Sequence, residues 1–202
     1  MIHDLRNASP DLDSDFDLPR IESAVREIIL GMGEDPDREG LLDTPRRVAK
    51  AYAELFGGVH ESPAGHLERQ FEQKGTDPVM LSDIPFTSMC EHHFLPFTGV
   101  AHVAYQPQHD RVVGLSKLAR TVQILARRPQ QQERLTQQIR EAIEEHLRPS
   151  AVLVMVEATH SCMQLRGVKA CGATMRTRSA GGQWVKDGAS RREIQDLMTR
   201  PS

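Results

Sequence analysis

The stretch Ala151-Val-Leu-Val-Met-Val-Glu-Ala-Thr-His160-Ser-Cys162-Met163 predicts a strong β-strand. Alternate side chains of a regular strand point to the same face of its sheet. One face would then carry Val152, Val154, Val156, Ala158, His160 and Cys162. We therefore expect His160 and Cys162 to emerge side by side at the end of a buried apolar stripe.

A second segment, Cys90-Glu91-His92-His93, supplies a matching set of metal-binding groups. Residues three apart approach each other in a turn, so Cys90 and His93 can bind one ion together, and the strand would add Cys162. Thiolate and imidazole are ligands that zinc prefers, and three protein ligands leave one position open for water. This pattern predicts a catalytic zinc site, where the metal can bring the pKa of water to about 7.

The two remaining histidines, His92 and His160, are expected beside this site, where imidazoles can transfer protons near neutral pH. A structural zinc site would instead need a fourth protein ligand, which only these histidines or Cys171 could provide. Cys171 lies outside both segments and is expected to be a small apolar residue. Glu91 is expected to be solvated or to support a ligand. A zinc deaminase is disfavoured because its Pro-Cys-x-x-Cys signature is absent.

The composition indicates an ordinary globular chain of one domain with peripheral elements. It has 202 residues, of which 39% are hydrophobic and 26% charged. No apolar run approaches the roughly 18 residues of a membrane span, and the N-terminus lacks the pattern of a signal peptide. Three cysteines argue against a disulfide framework and for a reduced, cytoplasmic setting. Basic residues are too dispersed for a nucleic-acid partner but suit an anionic small molecule.

Four regions follow one another along the chain. Residues 1–18 are acidic and lack periodicity, which predicts a flexible arm. N-terminal helices are expected over 19–58, a catalytic core over 59–182 and a peripheral C-terminal tail over 183–202.

The N-terminal region predicts a pair of helices followed by a loop over 58–78. The first helix would begin near Pro19 and end at the glycines of 31–33, and the second would have Thr44 as its N-cap and stop at Gly57. The inward faces would consist of Ile21, Val25, Ile28 and Met32 on the first helix, and of Val48, Tyr52 and Leu55 on the second.

The core reads as two strands, two helices and two strands. Strands are predicted over 79–84 and 97–105, a helix capped by Ser116 up to residue 128, and a helix over 129–147. The strand over 151–163 and a shorter one over 172–177 complete a β-β-α-α-β-β order. The apolar faces of the two helices would consist of Leu118, Val122 and Leu125, and of Leu135, Ile139, Ile143 and Leu147.

Several basic side chains could bind phosphate. A helix start is attractive to anions because its free N–H groups and dipole favour negative charge. Each cluster could by itself be a solvated helix face, but beside a zinc site they together suggest a polyphosphorylated substrate. Glu133 lies early in a helix, where stabilisation of the helix is a complete explanation of a carboxylate. The basic candidates, with the capping serine, are Ser116, Lys117, Arg120, Arg166, Arg47 and Lys50.

Five segments together give the chain a close resemblance to the GTP cyclohydrolase I family, the zinc-dependent first enzymes of tetrahydrofolate and tetrahydrobiopterin synthesis. The resemblance spans roughly residues 20–182. The segments are Asp-Thr-Pro-Arg-Arg-Val-Ala-Lys (43–50), Met-Cys-Glu-His-His-Phe-Leu-Pro-Phe (89–97), Gly-Leu-Ser-Lys-Leu-Ala-Arg (114–120), Arg-Pro-Gln-Gln-Gln-Glu-Arg-Leu-Thr-Gln-Gln-Ile (128–139) and His-Ser-Cys-Met-Gln-Leu-Arg-Gly (160–167).

The resemblance implies an α+β tunnelling fold whose subunits assemble into barrels, typically as a decamer of two pentameric rings. It implies zinc as the cofactor, bound by Cys90, His93 and Cys162, and GTP as the substrate. Water activated at the metal attacks C8 of the purine, formate leaves, and ring closure gives 7,8-dihydroneopterin triphosphate. Further implied roles are proton transfer by His92 and His160, guanine binding by Glu133, and triphosphate binding by Ser116, Lys117, Arg120, Arg166, Arg47 and Lys50.

Two other classes of protein compete with this interpretation. Another tunnelling-fold enzyme, such as a nitrile reductase or a carboxytetrahydropterin synthase, lacks the combination of Cys-x-x-His, His-x-Cys and the guanine glutamate. A non-catalytic module stabilised by zinc would need the fourth ligand discussed above. Neither a regulatory protein nor pterin feedback is readable from the residues.

Overall fold

The structure, a computed structural model of the chain, describes residues 16–75 and 77–199. The acidic arm predicted over residues 1–18 lies, apart from its last three residues, outside this described part. Among the described helices, none combines the length and the apolar character that crossing a bilayer requires.

Two helices precede the sheet, α1 (Leu18–Gly31) and α2 (Thr44–Phe56). The predicted inner face of α1 is wrong in part, because Ile28 and Met32 are 59% and 69% exposed while Val25 and Ile29 are buried. The buried side chains are four apart and pack towards α2, which places Ile28 and Met32 on the outer side of the helix.

The second helix begins one residue earlier than predicted, since Asp43 rather than Thr44 is its N-cap. Its most buried residues are Ala49, Ala53 and Phe56, and the predicted Val48, Tyr52 and Leu55 are half-buried beside them. The predicted loop over 58–78 is not entirely irregular. It contains a 3-10 turn (Gly57–Val59 at its start), a short helix α3 (Ala64–Leu67) and a short strand β1 (Gln70–Glu72).

A five-stranded sheet forms the centre of the fold, with strand order β5-β2-β3-β6-β7. Its long strands β2, β3, β6 and β7 are antiparallel neighbours, whereas β5 runs parallel to the end of β2. A separate ribbon pairs β1 with β4. The strands are β2 (Val79–Cys90), β3 (Leu95–Gln106), β4 (Arg111–Val113), β5 (Pro129–Gln130), β6 (Ala151–His160) and β7 (Met175–Gly182).

The strand predicted over 79–84 continues to Cys90, six residues further than the sequence indicated. A bulge between Leu81 and Ile84, with Asp83 at φ 55°, interrupts the regular alternation of side chains in the first part of β2. Pro85 is tolerated inside β2 because β5 pairs only with Met89 and Cys90 on that side.

Two helices, α4 (Leu115–Ala126) and α5 (Gln132–Leu147), cover one face of the sheet and confirm the predicted core order. Gly114, not Ser116, is the N-cap of α4. Pro129 does not start α5, because residues 129–130 pair with β2 before the helix begins. The predicted inward residues Leu118, Val122, Leu125, Leu135, Ile139 and Ile143 are all buried, and Leu147 packs against them.

The strand predicted over 151–163 is confirmed as β6 up to His160, and its stripe of Val152, Val154, Val156 and Ala158 lies in the core. Beyond His160 the prediction is wrong, because Ser161–Gln164 form a helical turn, α6. Cys162 therefore reaches its position through this turn rather than through strand alternation.

The second face of the sheet is covered by the C-terminal residues. Two helices, α7 (Gln183–Lys186) and α8 (Gly188–Met198), pack Trp184, Ile194 and Met198 against the sheet residues Leu153 and Met155. The described part of the tail that was expected to be peripheral thus belongs to the core on this side. The reason is that β6 is apolar on both faces, so each face needs a cover.

The register between β3 and β6 determines which residues of the two strands lie side by side. Phe97 lies opposite His160, and Gly99 lies opposite Ala158. A Cβ atom on Gly99 would come within 1.9 Å of the Glu157 carbonyl oxygen and 2.7 Å of the Ala158 Cα. Only glycine fits at this point, because the backbone of the neighbouring strand occupies the space of a side chain.

We predict that Gly99→Ala lowers the free energy of unfolding by about 1–3 kcal/mol, because the new methyl group must push two strands apart. The measurement is the urea midpoint at a fixed protomer concentration. Gly65→Ala is the control, since a Cβ atom there meets nothing within 4 Å. Equal loss of stability in both variants would contradict the close approach of β3 and β6.

Candidate active site around a Cys-His-Cys cluster

The connection between β2 and β3 is a tight turn of four residues that begins directly after Cys90. The backbone N–H of Phe94 donates to the Cys90 carbonyl at 2.8 Å, and Phe94 has the left-handed φ of 52°. The Phe94 ring lies 5.5 Å from the ring of Phe56 at the end of α2. The turn brings His93 back towards Cys90, as the spacing of the two residues predicts.

Three metal-binding side chains meet where this turn approaches the end of β6. The sulfur atoms of Cys90 and Cys162 and a ring nitrogen of His93 all lie within 4.8 Å of one another. Cys90 is buried, Cys162 is half-buried and His93 is exposed, so the cluster opens to solvent on one side. Two thiols and one imidazole fit a zinc ion by ligand type and number, with room for a further ligand.

The electrostatics of the two thiols depend on their surroundings. Burial raises the pKa of the Cys162 thiol, and the neighbouring Cys90 raises it further. A divalent cation reverses this effect because it binds the thiolate form. Arg166 lies at the same place, and its guanidinium donates to Nε2 of His93 at 2.9 Å.

His160 is held at the inner side of the cluster. Its ring stacks on Phe97 with centroids 4.5 Å apart and planes 5° from parallel. Its Nε2 lies 2.9 Å from Oε1 of Gln132. Burial lowers the pKa of His160, while the nearby Glu133 carboxylate acts in the opposite direction. Burial therefore favours the neutral form of the imidazole.

His92 lies on the outer side, in the turn itself, and is exposed. Its Nε2 is 3.1 Å from Nε2 of Gln131. The preceding residue, Glu91, forms an ion pair with Arg134, and this hydrogen bond lowers the pKa of the Glu91 carboxyl. Glu91 therefore interacts with a cation of the protein, as expected for a residue that supports the site without binding a metal.

The first turn of α5 brings Glu133 to the site. Glu133 is exposed, and its carboxylate is close enough to His160 to affect the pKa of that histidine. The residue thus lies beside the cluster, and its free carboxylate oxygens could accept hydrogen bonds from a ligand.

Among the described residues, no hydrogen bond or ion pair connects the other phosphate-binding candidates to the cluster. Lys117 and Arg120 lie near the start of α4, whereas the end of that helix, Ala126, accepts a hydrogen bond from Ser88 on the metal-bearing strand. At 1.5 Å per residue, Lys117 is about 13 Å from this end. Ser116 is exposed beside Lys117, Arg47 pairs with Asp43 at 3.1 Å, and Lys50 is exposed on α2.

Three residues around the site were missed by the sequence analysis: Gln131, Gln132 and Arg134. Each contacts a residue of the two sequence segments, namely His92, His160 and Glu91. The available signal was the run of three glutamines immediately before Glu133. It precedes the first residue of the apolar periodicity that is typical of α5.

Comparison with known proteins shows which family the chain matches. A sequence profile described as GTP cyclohydrolase I matches residues 21–199. Proteins named GTP cyclohydrolase 1 from Bacillus cytotoxicus and Bacillus mycoides are 55% identical over 181 residues, which cover 90% of this chain and 96% of each relative. A solved structure, the archaeosine synthase QueF-Like in the apo form, has a TM-score of 0.45 and 18% identity, and covers 54% of this chain and 97% of that one.

We predict that Cys162→Ala weakens zinc binding at least about 100-fold, because loss of a ligand exceeds the 10- to 100-fold effect of residues that only support ligands. The measurement is zinc content by mass spectrometry after dialysis against a competing chelator. Cys171→Ala is the matched control, because Cys171 is exposed and outside the cluster. Retention of zinc by the Cys162 variant would show that the cluster does not bind the metal.

Proposed function

The chain belongs to the GTP cyclohydrolase I family, and on this basis we propose how its residues open the guanine imidazole ring of GTP. As a member of that family it is a GTP cyclohydrolase, an enzyme that hydrolyses cyclic amidine C–N bonds, and its α+β structure is the tunnelling fold. The proposed products are formate and 7,8-dihydroneopterin triphosphate, in the first step of tetrahydrofolate and pterin synthesis. The observation that carries the proposal is the convergence of Cys90, His93 and Cys162 within 4.8 Å.

We assign zinc to this cluster on the chemistry of its donors. Two thiolates and one imidazole suit zinc better than the hard cations magnesium and calcium, which take oxygen ligands. When bound, zinc supplies an activated water molecule for attack on C8 of the purine. Cys90 is buried and His93 is exposed, so a substrate would reach the cluster from the side of His93.

Two histidines beside the cluster are assigned to proton transfer. His160, whose neutral form is favoured by partial burial, can take a proton as a base and later return it as an acid. His92 is exposed in the turn next to His93 and can exchange protons with solvent. Ring opening and formate release both need protons delivered and removed, so two imidazoles beside the cluster suit the sequence of steps.

Glu133 is assigned to the guanine edge. A carboxylate can accept two parallel hydrogen bonds from the ring N–H and the exocyclic amine of guanine. Its exposed carboxylate, beside His160 in the first turn of α5, would orient the purine with its imidazole ring towards the cluster.

Binding of the triphosphate is assigned to Arg166 together with the basic residues that one chain leaves apart. Arg166 already contacts His93, whereas no hydrogen bond to the cluster is made, among the described residues, by the candidates on α4 and α2, which are Ser116, Lys117, Arg120, Arg47 and Lys50. We propose that a second subunit supplies the missing cations, in a homo-oligomer built as a decamer of two pentameric rings.

The sheet supports such an assembly. Among the described strands, β7 has a partner on one side only, and β2 from Val79 to Ser88 is paired only with β3. Open strand edges of this kind can pair with another copy and close a barrel. GTP and further copies of the chain are the proposed partners, without nucleic acid or membrane, and the cytoplasm is the proposed location.

We predict that the zinc-loaded protein converts GTP to formate and a pterin that fluoresces after oxidation. His160→Ala should keep its zinc and lose at least about 100-fold in kcat, the lower bound for loss of a general acid–base group. His109→Asn is the control, since His109 is exposed in the turn before β4 and asparagine tolerates its φ of 59°. Absence of formate from the zinc-loaded wild type would overturn the proposal. Equal loss of zinc from the His160 and Cys162 variants would overturn the assignment of ligands.

A further inference from the structure

A buried glutamine, Gln132, makes a closed set of hydrogen bonds at the start of α5. Gln132 is only 1% exposed. Its Nε2 donates to the carbonyl oxygens of Val156 at 3.0 Å and Met175 at 3.1 Å, and lies 3.1 Å from Oγ1 of Thr177. Its Oε1 lies 2.9 Å from Nε2 of His160.

These contacts fix which way the amide points. A backbone carbonyl can only accept, so the NH₂ group must face Val156 and Met175. Turning the amide over would place its oxygen against two carbonyl oxygens in a buried environment, at the cost of leaving buried polar groups without partners. The amide oxygen therefore faces His160.

Two threonine hydroxyls lock the same orientation. Oγ1 of Thr136 lies 2.7 Å from the backbone carbonyl oxygen of Gln132. This oxygen can only accept, so the Thr136 hydroxyl donates to it. Thr177 must then donate across the 2.7 Å contact between the two hydroxyls, and it keeps a lone pair for the Gln132 amide. Every donor in the set has an acceptor.

We propose that Gln132 is a positioning residue that holds His160 with its proton on Nε2. An amide oxygen can only accept, so the ring nitrogen facing it must carry the hydrogen, and in the neutral imidazole Nδ1 is left with the free lone pair. The stacked Phe97 ring fixes the plane of the imidazole, and Gln132 fixes its rotation within that plane. Glu133 follows directly in sequence, so one rigid helix start places both the histidine and the carboxylate assigned to guanine.

The first test concerns the tautomer and needs neither metal nor substrate. Metal-free wild-type protein with ¹⁵N-labelled histidine rings is examined by solid-state NMR, and the signals of His160 are identified by their absence in His160→Ala. We expect a protonated Nε2 and a bare Nδ1. Hydrogen on Nδ1 would overturn the proposal, whether or not a Gln132 variant folds.

The second test is kinetic and rests on the proposed function of His160. In Gln132→Met we expect kcat to fall about 10- to 100-fold while KM for GTP and zinc content stay within about 3-fold of wild type. Gln137→Met is the matched control, because Gln137 lies exposed on the same helix and bonds only to Glu141 among the described residues. Unchanged kcat, or kcat and KM altered in equal measure, would overturn the positioning role. Failure of the wild type to release formate would refute the proposed function. The tautomer of His160 would then decide on its own whether Gln132 positions this histidine.

Discussion

The antiparallel pairing of β3 with β6 is the constraint on which the site depends. It sets Phe97 opposite His160, so the turn that follows Cys90 and the turn that contains Cys162 come together at one end of the sheet. A slip of one residue would turn His160 to the opposite face of the sheet and separate the two thiols. Gly99 prevents such a slip, because no other register brings a residue without a side chain against the Glu157 carbonyl.

A second level of order comes from the start of α5, where buried amides replace apolar side chains. Gln130 donates to the Leu125 carbonyl and to Gln138, and Gln132 connects β6 and β7 to His160. Buried amides are costly unless every donor and acceptor is paired, and paired networks are rigid for the same reason. Precise placement of Glu133 and His160 follows from this rigidity.

One chain builds the metal end of the site more completely than the phosphate end. The cluster, both histidines, Glu133 and Arg166 come together within the subunit, while Lys117 and Arg120 lie one or more helical turns from the end of α4 that contacts the strand of Cys90. This division agrees with a site shared between subunits. It also separates two properties, since zinc binding would depend on the fold of one subunit and triphosphate binding on assembly.

The sequence alone determined which faces of α4, α5 and β6 are buried and which side chains can bind a metal. The periodicity of Leu118, Val122 and Leu125 and the alternation along β6 predicted buried faces, and the types and spacing of the cysteines and histidines predicted the meeting of the metal-binding groups. Only the tertiary structure decided which neighbour each face meets, so α1 buries Ile29 rather than Ile28, and residues 129–130 join the sheet rather than a helix. Gln132 shows the reason most clearly. The sequence shows only that Gln132 is polar. Its proposed positioning role depends on acceptors 24 and 45 residues away, which only folding brings within reach.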